Sequence, residues 1–297
     1  MSAPDHRIFG LDLMRATAIV FVVLAHGRDL LGAYVPFEPI VPGIDPVDLF
    51  FVLSGYLIGG ILLRMAARTD AEPAHIVKRF WLRRWIRTLP NYYLFLLLNI
   101  AMVLLDLAPG VVNHNTPAYF VFLQNLLKPL DLFFWESWSL SVEVWFYTLF
   151  PILLFLILKG AGLGLKRSYL YAVLIFLCIP AVLRFHFAEG VRTLHEADVE
   201  VRRLVVTRQD TIAFGALAAW FHVYFPAVWV RWRWPLFIAG ITFLLFSMRF
   251  RSVEHLDYLN TWFLTFTACA MAALLPLLNG WSHGGMWHNV IGSLHSS

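Results

Sequence analysis

Charge is what this 297-residue chain has least of: 14% of its residues are Asp, Glu, Lys or Arg, against 60% that are hydrophobic. A soluble domain carries about 25% charged residues, so a water-exposed surface of ordinary polarity is excluded. Cysteine is nearly absent. The two copies, Cys178 and Cys269, fall in apolar segments without metal-ligand spacing, and nothing calls for a disulfide between them. The chain has no glycine-rich phosphate loop, no zinc ligand set and no Ser-His-Asp nucleophile elbow. Internal repeats and low-complexity tracts are missing too. The leading MSAPDHRIFG has no cleavage site behind an apolar core, so no signal peptide is expected.

What is present is a series of long apolar runs rich in aromatics, with 26 Phe and 12 Trp. These imply an all-α, polytopic transmembrane bundle, residues 1–297 forming a single domain. About eight spans are expected, near 11–32, 47–66, 89–108, 138–158, 169–187, 209–227, 235–250 and 258–278. No soluble domain fits between them. The segment 118–135 is apolar but broken by Lys128, Pro129 and Asp131, and reads as re-entrant or interfacial. The net charge of +4 does not point to nucleic acid, because the basic residues cluster between spans. Loop 67–88 is strongly basic, whereas loops 33–46 and 109–117 hold no Lys or Arg. The N-terminus is therefore expected in the cytoplasm. The loop after the fifth span departs from this pattern, since Arg192, Arg202 and Arg203 are balanced there by acidic residues.

The first span, LDLMRATAIVFVVLAHGRDLLG, carries Arg15 near one end and His26 deep in its second half. They are eleven positions apart, close to three full helical turns, so they share a face about 16 Å apart along the axis. Arg15 near the cytoplasmic end could snorkel to headgroups, or offer a fork to phosphate. His26 in the outer half could be a hydrogen-bonded core residue, or a general base at neutral pH. The spacing suits a long cofactor with phosphates at one end and a reactive group at the other, a shape that coenzyme A has.

Three further runs carry candidates. In DPVDLFFVLSGYLIGGILLR, Asp48 is either a helix N-cap or a partner orienting His26, and the glycines allow close helix approach. In KRFWLRRWIRTLPNYY, Arg84 and Arg87 stand three apart before Pro90. Membrane orientation and anionic lipid explain their charge, and a shared helix face would let them grip a diphosphate. In ESWSLSVEVWFYTLFPILLF, Glu143 is a carboxyl within a span, either buried and neutral or functional. Trp138, Trp145 and Tyr147 read as belt and packing residues. Adjacent Arg208 and Asp210 read as an interfacial pair.

Together, LDLMRATAIVFVVLAH, VDLFFVLSGYLI, RRWIRTLP, SWSLSVEVWFYTLFP and RQDTIAFGALAA resemble, in order and over most of residues 10–220, the acyltransferase-3 family of bacterial integral-membrane O-acyltransferases. The resemblance implies transfer of an acyl group, often acetyl, from acyl-CoA to a hydroxyl of an envelope glycan, exopolysaccharide or glycosylated small molecule. It implies an inner-membrane location, a carbohydrate or glycolipid acceptor, contact with membrane lipid, and no metal. It carries roles in donor binding or catalysis onto Arg15, His26, Asp48, Arg84 and Arg87, with Glu143 in a matching motif. Two features differ from the family pattern. Pro46 replaces the usual glycine before Val47, and the chain stops at GSLHSS, so the last spans are expected to be missing. A transporter or flippase, or an inactive shortened member, are the alternatives. The former predicts inverted repeats, which the sequence lacks.

Overall fold

A computed structural model describes residues 8–27, 45–67, 72–130, 133–250 and 253–281, excluding the side chains of His26 and Met248. Most of loop 33–46 and the terminal GSLHSS lie outside the described residues. Those described are helical or irregular, without strands. The principal helices are α1 (Phe9–His26), α2 (Pro46–Ala66), α3 (Pro73–Leu104), α4 (Trp138–Gly160), α5 (Leu165–Phe187), α6 (Gln209–Tyr224) and α7 (Arg233–Ser247). The helical run α8, Val253–Asn279, completes the bundle. Five helices are long and apolar enough to cross a membrane: α2, α3, α4 with its lead-in turn, α5 and α8. Helices α1, α6 and α7 lie where further spans were expected, with 18, 16 and 15 residues.

The central pair is α2 and α6, which run side by side in the same direction. Glycines let their backbones touch. A Cβ added at Gly55 would meet the Ile212 carbonyl oxygen at 1.9 Å, and one at Gly215 would meet the Val52 oxygen at 1.9 Å. Small-residue contacts of this kind suit a membrane, where apolar burial alone does not drive helices together. Two apolar cores flank the pair. One gathers Phe51, Leu96, Phe146, Phe150, Tyr169 and Ile212 from α2 through α6. The other gathers Leu11, Met14 and Ala18 of α1 with Val52, Leu244 and Met271. Large apolar side chains such as Leu97, Leu98, Ile179 and Val182 point outward, as a lipid-facing surface requires.

The basic stretch expected as a loop is not one. Residues 73–88 continue without a break into the span, as the first half of the 32-residue α3. Pro73 starts the helix, where its missing N–H does no harm. Arg, Lys and Leu, good helix formers, carry it forward. Among the described residues, the apolar segment 118–135 holds the end of a five-residue helix, Thr116–Phe120, then irregular chain up to a 3-10 turn that starts at Trp135. Several of its polar groups are met by the protein, although Gln124 Oε1 and Asn125 Oδ1 have no hydrogen-bond partner among the described residues. Tyr119 donates to the Phe133 oxygen at 2.8 Å, Trp145 Nε1 to the Phe122 oxygen at 2.8 Å, and Asn125 Nδ2 to the Arg203 oxygen at 2.7 Å. Irregular backbone within a membrane protein survives only where such partners exist.

Candidate active site

Three helices bring polar side chains together inside the bundle. Ser54 comes from α2, Arg84 from α3, and Glu143 and Tyr147, one turn apart, from α4. The Ser54 and Tyr147 hydroxyls are hydrogen-bonded to each other. Both lie beside the Glu143 carboxyl, with Arg84 also near it. The Arg84 guanidinium carbon stands 5.7 Å from the centre of the Tyr147 ring, a cation–π contact. Trp81 Nε1 donates to the Tyr147 carbonyl oxygen at 3.1 Å and pins α3 onto α4. Tyr147, expected as a packing residue, is thus a polar member of this cluster. Four groups that can donate, accept or carry charge therefore form one connected set at membrane depth. Such sets are rare and functional by default.

Arg84 and Arg87 share a side of α3 but meet different surroundings. Arg84 is half-buried against Tyr147, and Arg87 is exposed. Arg87 lines an open groove of about 580 Å³ with Thr88, Asn91, Glu136 and Ser137. Arg15 is also exposed, and its Nη1 donates to Asp12 at 2.9 Å. The His26 side chain lies outside the described residues, while its backbone forms the last residue of α1.

Asp48 is not the N-cap of α2. Asp45 is, accepting from the Val47 amide at 2.9 Å, with Pro46 at the first helical position. Asp48, in the first turn, is buried and ion-paired with Arg208, which is itself fully buried. Arg208 and Asp210, expected to pair with each other, instead cross to different helices. Asp210 takes the bidentate fork of Arg184 from α5, at 3.0 and 2.7 Å. Arg184 also donates to the Thr261 oxygen at 3.0 Å, the Thr207 oxygen at 2.7 Å and the Thr265 hydroxyl, so all five of its N–H groups are used. Arg208 differs: its Nε and Nη1 have no hydrogen-bond partner among the described residues. Nearby, Arg202 pairs with both Asp45 and Asp198, and Arg203 with Asp198 at 2.5 Å.

Sequence reasoning missed Arg184, Ser54 and a second polar group within the bundle. There Tyr56 shares a hydrogen bond with His222 Nδ1 at 2.7 Å and donates to Asn279 Oδ1 at 2.8 Å, its ring stacked on Trp229. An intramembrane histidine was a visible signal at position 222. Its tyrosine partner, 166 positions away in the chain, was not.

The described helices, the buried ion pairs and the ordered motifs meet in one comparison. A family model described as "Acyltransferase domain" matches residues 8–295, nearly the whole chain. The chain belongs to the acyltransferase-3 family. It is a membrane-embedded member, and the family is one of enzymes that move acyl groups. Among curated proteins it is similar to the peptidoglycan O-acetyltransferase OatA of Listeria monocytogenes, 29% identical over 163 residues, covering 50% of this chain and 24% of the relative. It is also similar to the O-acetyltransferase OatA of Staphylococcus aureus, 27% identical over 224 residues, covering 71% of this chain and 34% of the relative. The chain thus spans about a quarter of the length of the first of these relatives and about a third of the second. No solved structure matches it.

Proposed function

We propose that this acyltransferase-3 chain moves an acyl group, acetyl foremost, from acyl-CoA to a hydroxyl of a cell-envelope glycan or glycosylated small molecule. It works in the bacterial inner membrane with its N-terminus and the basic half of α3 in the cytoplasm. The observation that carries this reading is the Ser54–Tyr147–Glu143–Arg84 set, which links the basic helix to the interior of the bundle. Membership of the family and the O-acetyltransferase names of OatA proteins supply the reaction class.

In this reading Arg84, Arg87 and Arg15 hold the phosphates of the donor. Arg15 spends one N–H on Asp12 in an exposed pair, which is worth under about 1 kcal/mol and yields readily to a phosphate. His26 takes the proton of the acceptor hydroxyl as its oxygen attacks the thioester carbonyl. The new C–O bond forms, the C–S bond breaks, and the proton passes to the departing thiolate of coenzyme A. Glu143, beside the hydrogen-bonded Ser54 and Tyr147 hydroxyls, orients the polar set through which donor and acceptor meet. Asp48 with Arg208 fixes the first turn of α2.

The test is acetyl-CoA binding by the purified chain. Wild type binds. Arg84→Ala and Arg87→Ala each weaken binding by roughly tenfold or more, the usual loss for one charge-assisted contact. Lysine at either position restores only part of it, because it lacks the planar fork. Unchanged affinity in both alanine variants returns these arginines to membrane orientation alone.

A further inference from the structure

On the face of the bundle where α2 begins lies a cavity of about 180 Å³ that the reaction scheme above does not use. Asp45, Asp48, Asp198, Arg202, Asn260 and Thr267 supply its polar lining. We propose that this cavity binds one neutral sugar ring of the acceptor, holding it by its hydroxyls. The inference rests on a sugar-bearing acceptor and assigns its binding site.

The charges argue for a neutral guest. Arg202 neutralises Asp45 and Asp198, Arg203 adds to Asp198, and Arg208 neutralises Asp48. Among the described residues, each carboxylate of the lining faces a guanidinium. Carboxylate oxygens engaged by one donor still have lone pairs for others, which suits a ligand with many hydroxyls.

Asn260 supplies the second, independent sign. It is 3% exposed, yet its side-chain amide makes no hydrogen bond among the described residues, and it lines the cavity. The carboxamide both donates and accepts, the combination that one sugar hydroxyl or two adjacent ones answer. Apolar Phe263 and Leu264 complete the wall and face the C–H side of such a ring.

The backbone is specialised here as well. Two π-helical turns, Ala197–Arg202 and Leu259–Phe263, supply Arg202 and Asn260 to the lining. Single π turns recur at functional sites because they re-aim side chains without ending a helix. The volume admits one ring and not an oligosaccharide, so the rest of a glycan would remain outside. Asp48, in the cavity wall, is six residues from Ser54 on α2, about 9 Å along the helix.

The experiment uses the purified full chain in detergent, with methyl β-D-glucopyranoside and methyl N-acetyl-β-D-glucosaminide as probes and glucuronate as the charged comparison. Saturation-transfer NMR reads binding to the protein. Asn260→Leu removes the amide at similar size. Leu194→Trp, at an exposed rim position, obstructs the mouth without touching the core. Wild type is expected to transfer saturation to at least one neutral glycoside and less to glucuronate. Both variants are expected to lose roughly tenfold in affinity, with acetyl-CoA binding retained. No transfer to either neutral glycoside, a preference for glucuronate, or equal binding by both variants would overturn the proposal. Sugar binding by a wild-type chain that does not bind acetyl-CoA would support the cavity and instead defeat the donor assignment.

Discussion

Replacing His26 with alanine is expected to lower acyl transfer by about 10²–10⁴-fold, the usual loss when a general base is removed, while acetyl-CoA binding stays close to wild type. The reason lies along α1, a single unbroken helix from Phe9 to His26. Arg15 and His26 share one face of it, separated by about 16 Å. Arg15 is exposed and, among the described residues, paired with Asp12, a place where phosphates keep part of their hydration. His26 is at the far end, where a thioester on an extended arm would arrive. Arg15→Ala is therefore expected to show the reverse pattern, weaker donor binding as the primary defect. Both variants should be purified and assayed in parallel for binding and for product. Near-normal acylation by His26→Ala would make this residue part of the packing and refute the proposed chemistry.

Asp48→Ala is expected to destabilise the protein by about 3–5 kcal/mol, because it strands a buried guanidinium. Arg208 is fully buried, and of its hydrogen bonds among the described residues only the one to Asp48 remains to be lost. Its Nε and Nη1 have no partner to share the charge. Removing both partners avoids that penalty, so Asp48→Leu combined with Arg208→Met should recover most of the stability. The two substitutions together measure the pair, as a double-mutant cycle does. Thermal unfolding in detergent reads the difference. The matching change at Asp210 provides a comparison, since Arg184 keeps hydrogen bonds to two backbone oxygens and to Thr265. If Asp48→Ala melts at the wild-type temperature, Arg208 is not the stranded charge described here.

The helical class of the fold could be read directly from the sequence, since long apolar runs leave a membrane chain no other spanning choice in this composition. The positions of α2, α4 and α5 followed from the same runs. The basic stretch before the third span misled, because positive-inside charge and helix-forming residues coincide at 73–88. Charge indicated membrane side, and the helix continued regardless. The partners within the site were less accessible. Helical period can place Glu143 and Tyr147 on one face, but it says nothing about which neighbour that face meets. Asp48 and Arg208 are 160 positions apart, and only the α2–α6 contact brings them together. Ser54 sits in an apolar helix with no local pattern to mark it. Asp45 was eclipsed as an N-cap by Asp48, which stands closer to the apolar run.

The length of α3 ties the enzyme to the thickness of its bilayer. Thirty-two residues make a rod of about 48 Å, longer than the roughly 30 Å hydrocarbon layer. The apolar part from Pro90 to Leu104 is only about 22 Å, shorter than that layer. Pro90 provides no N–H for the Ile86 carbonyl, so the rod has a natural point of bending just beyond Arg84 and Arg87. The membrane must therefore thin locally, or those guanidiniums must reach back towards the headgroups. In a thicker bilayer they are drawn towards hydrocarbon, away from water-borne phosphate. Acyl-chain length of the surrounding lipid thus acts as a tuning parameter on the charged end of α3, with no change in the protein itself.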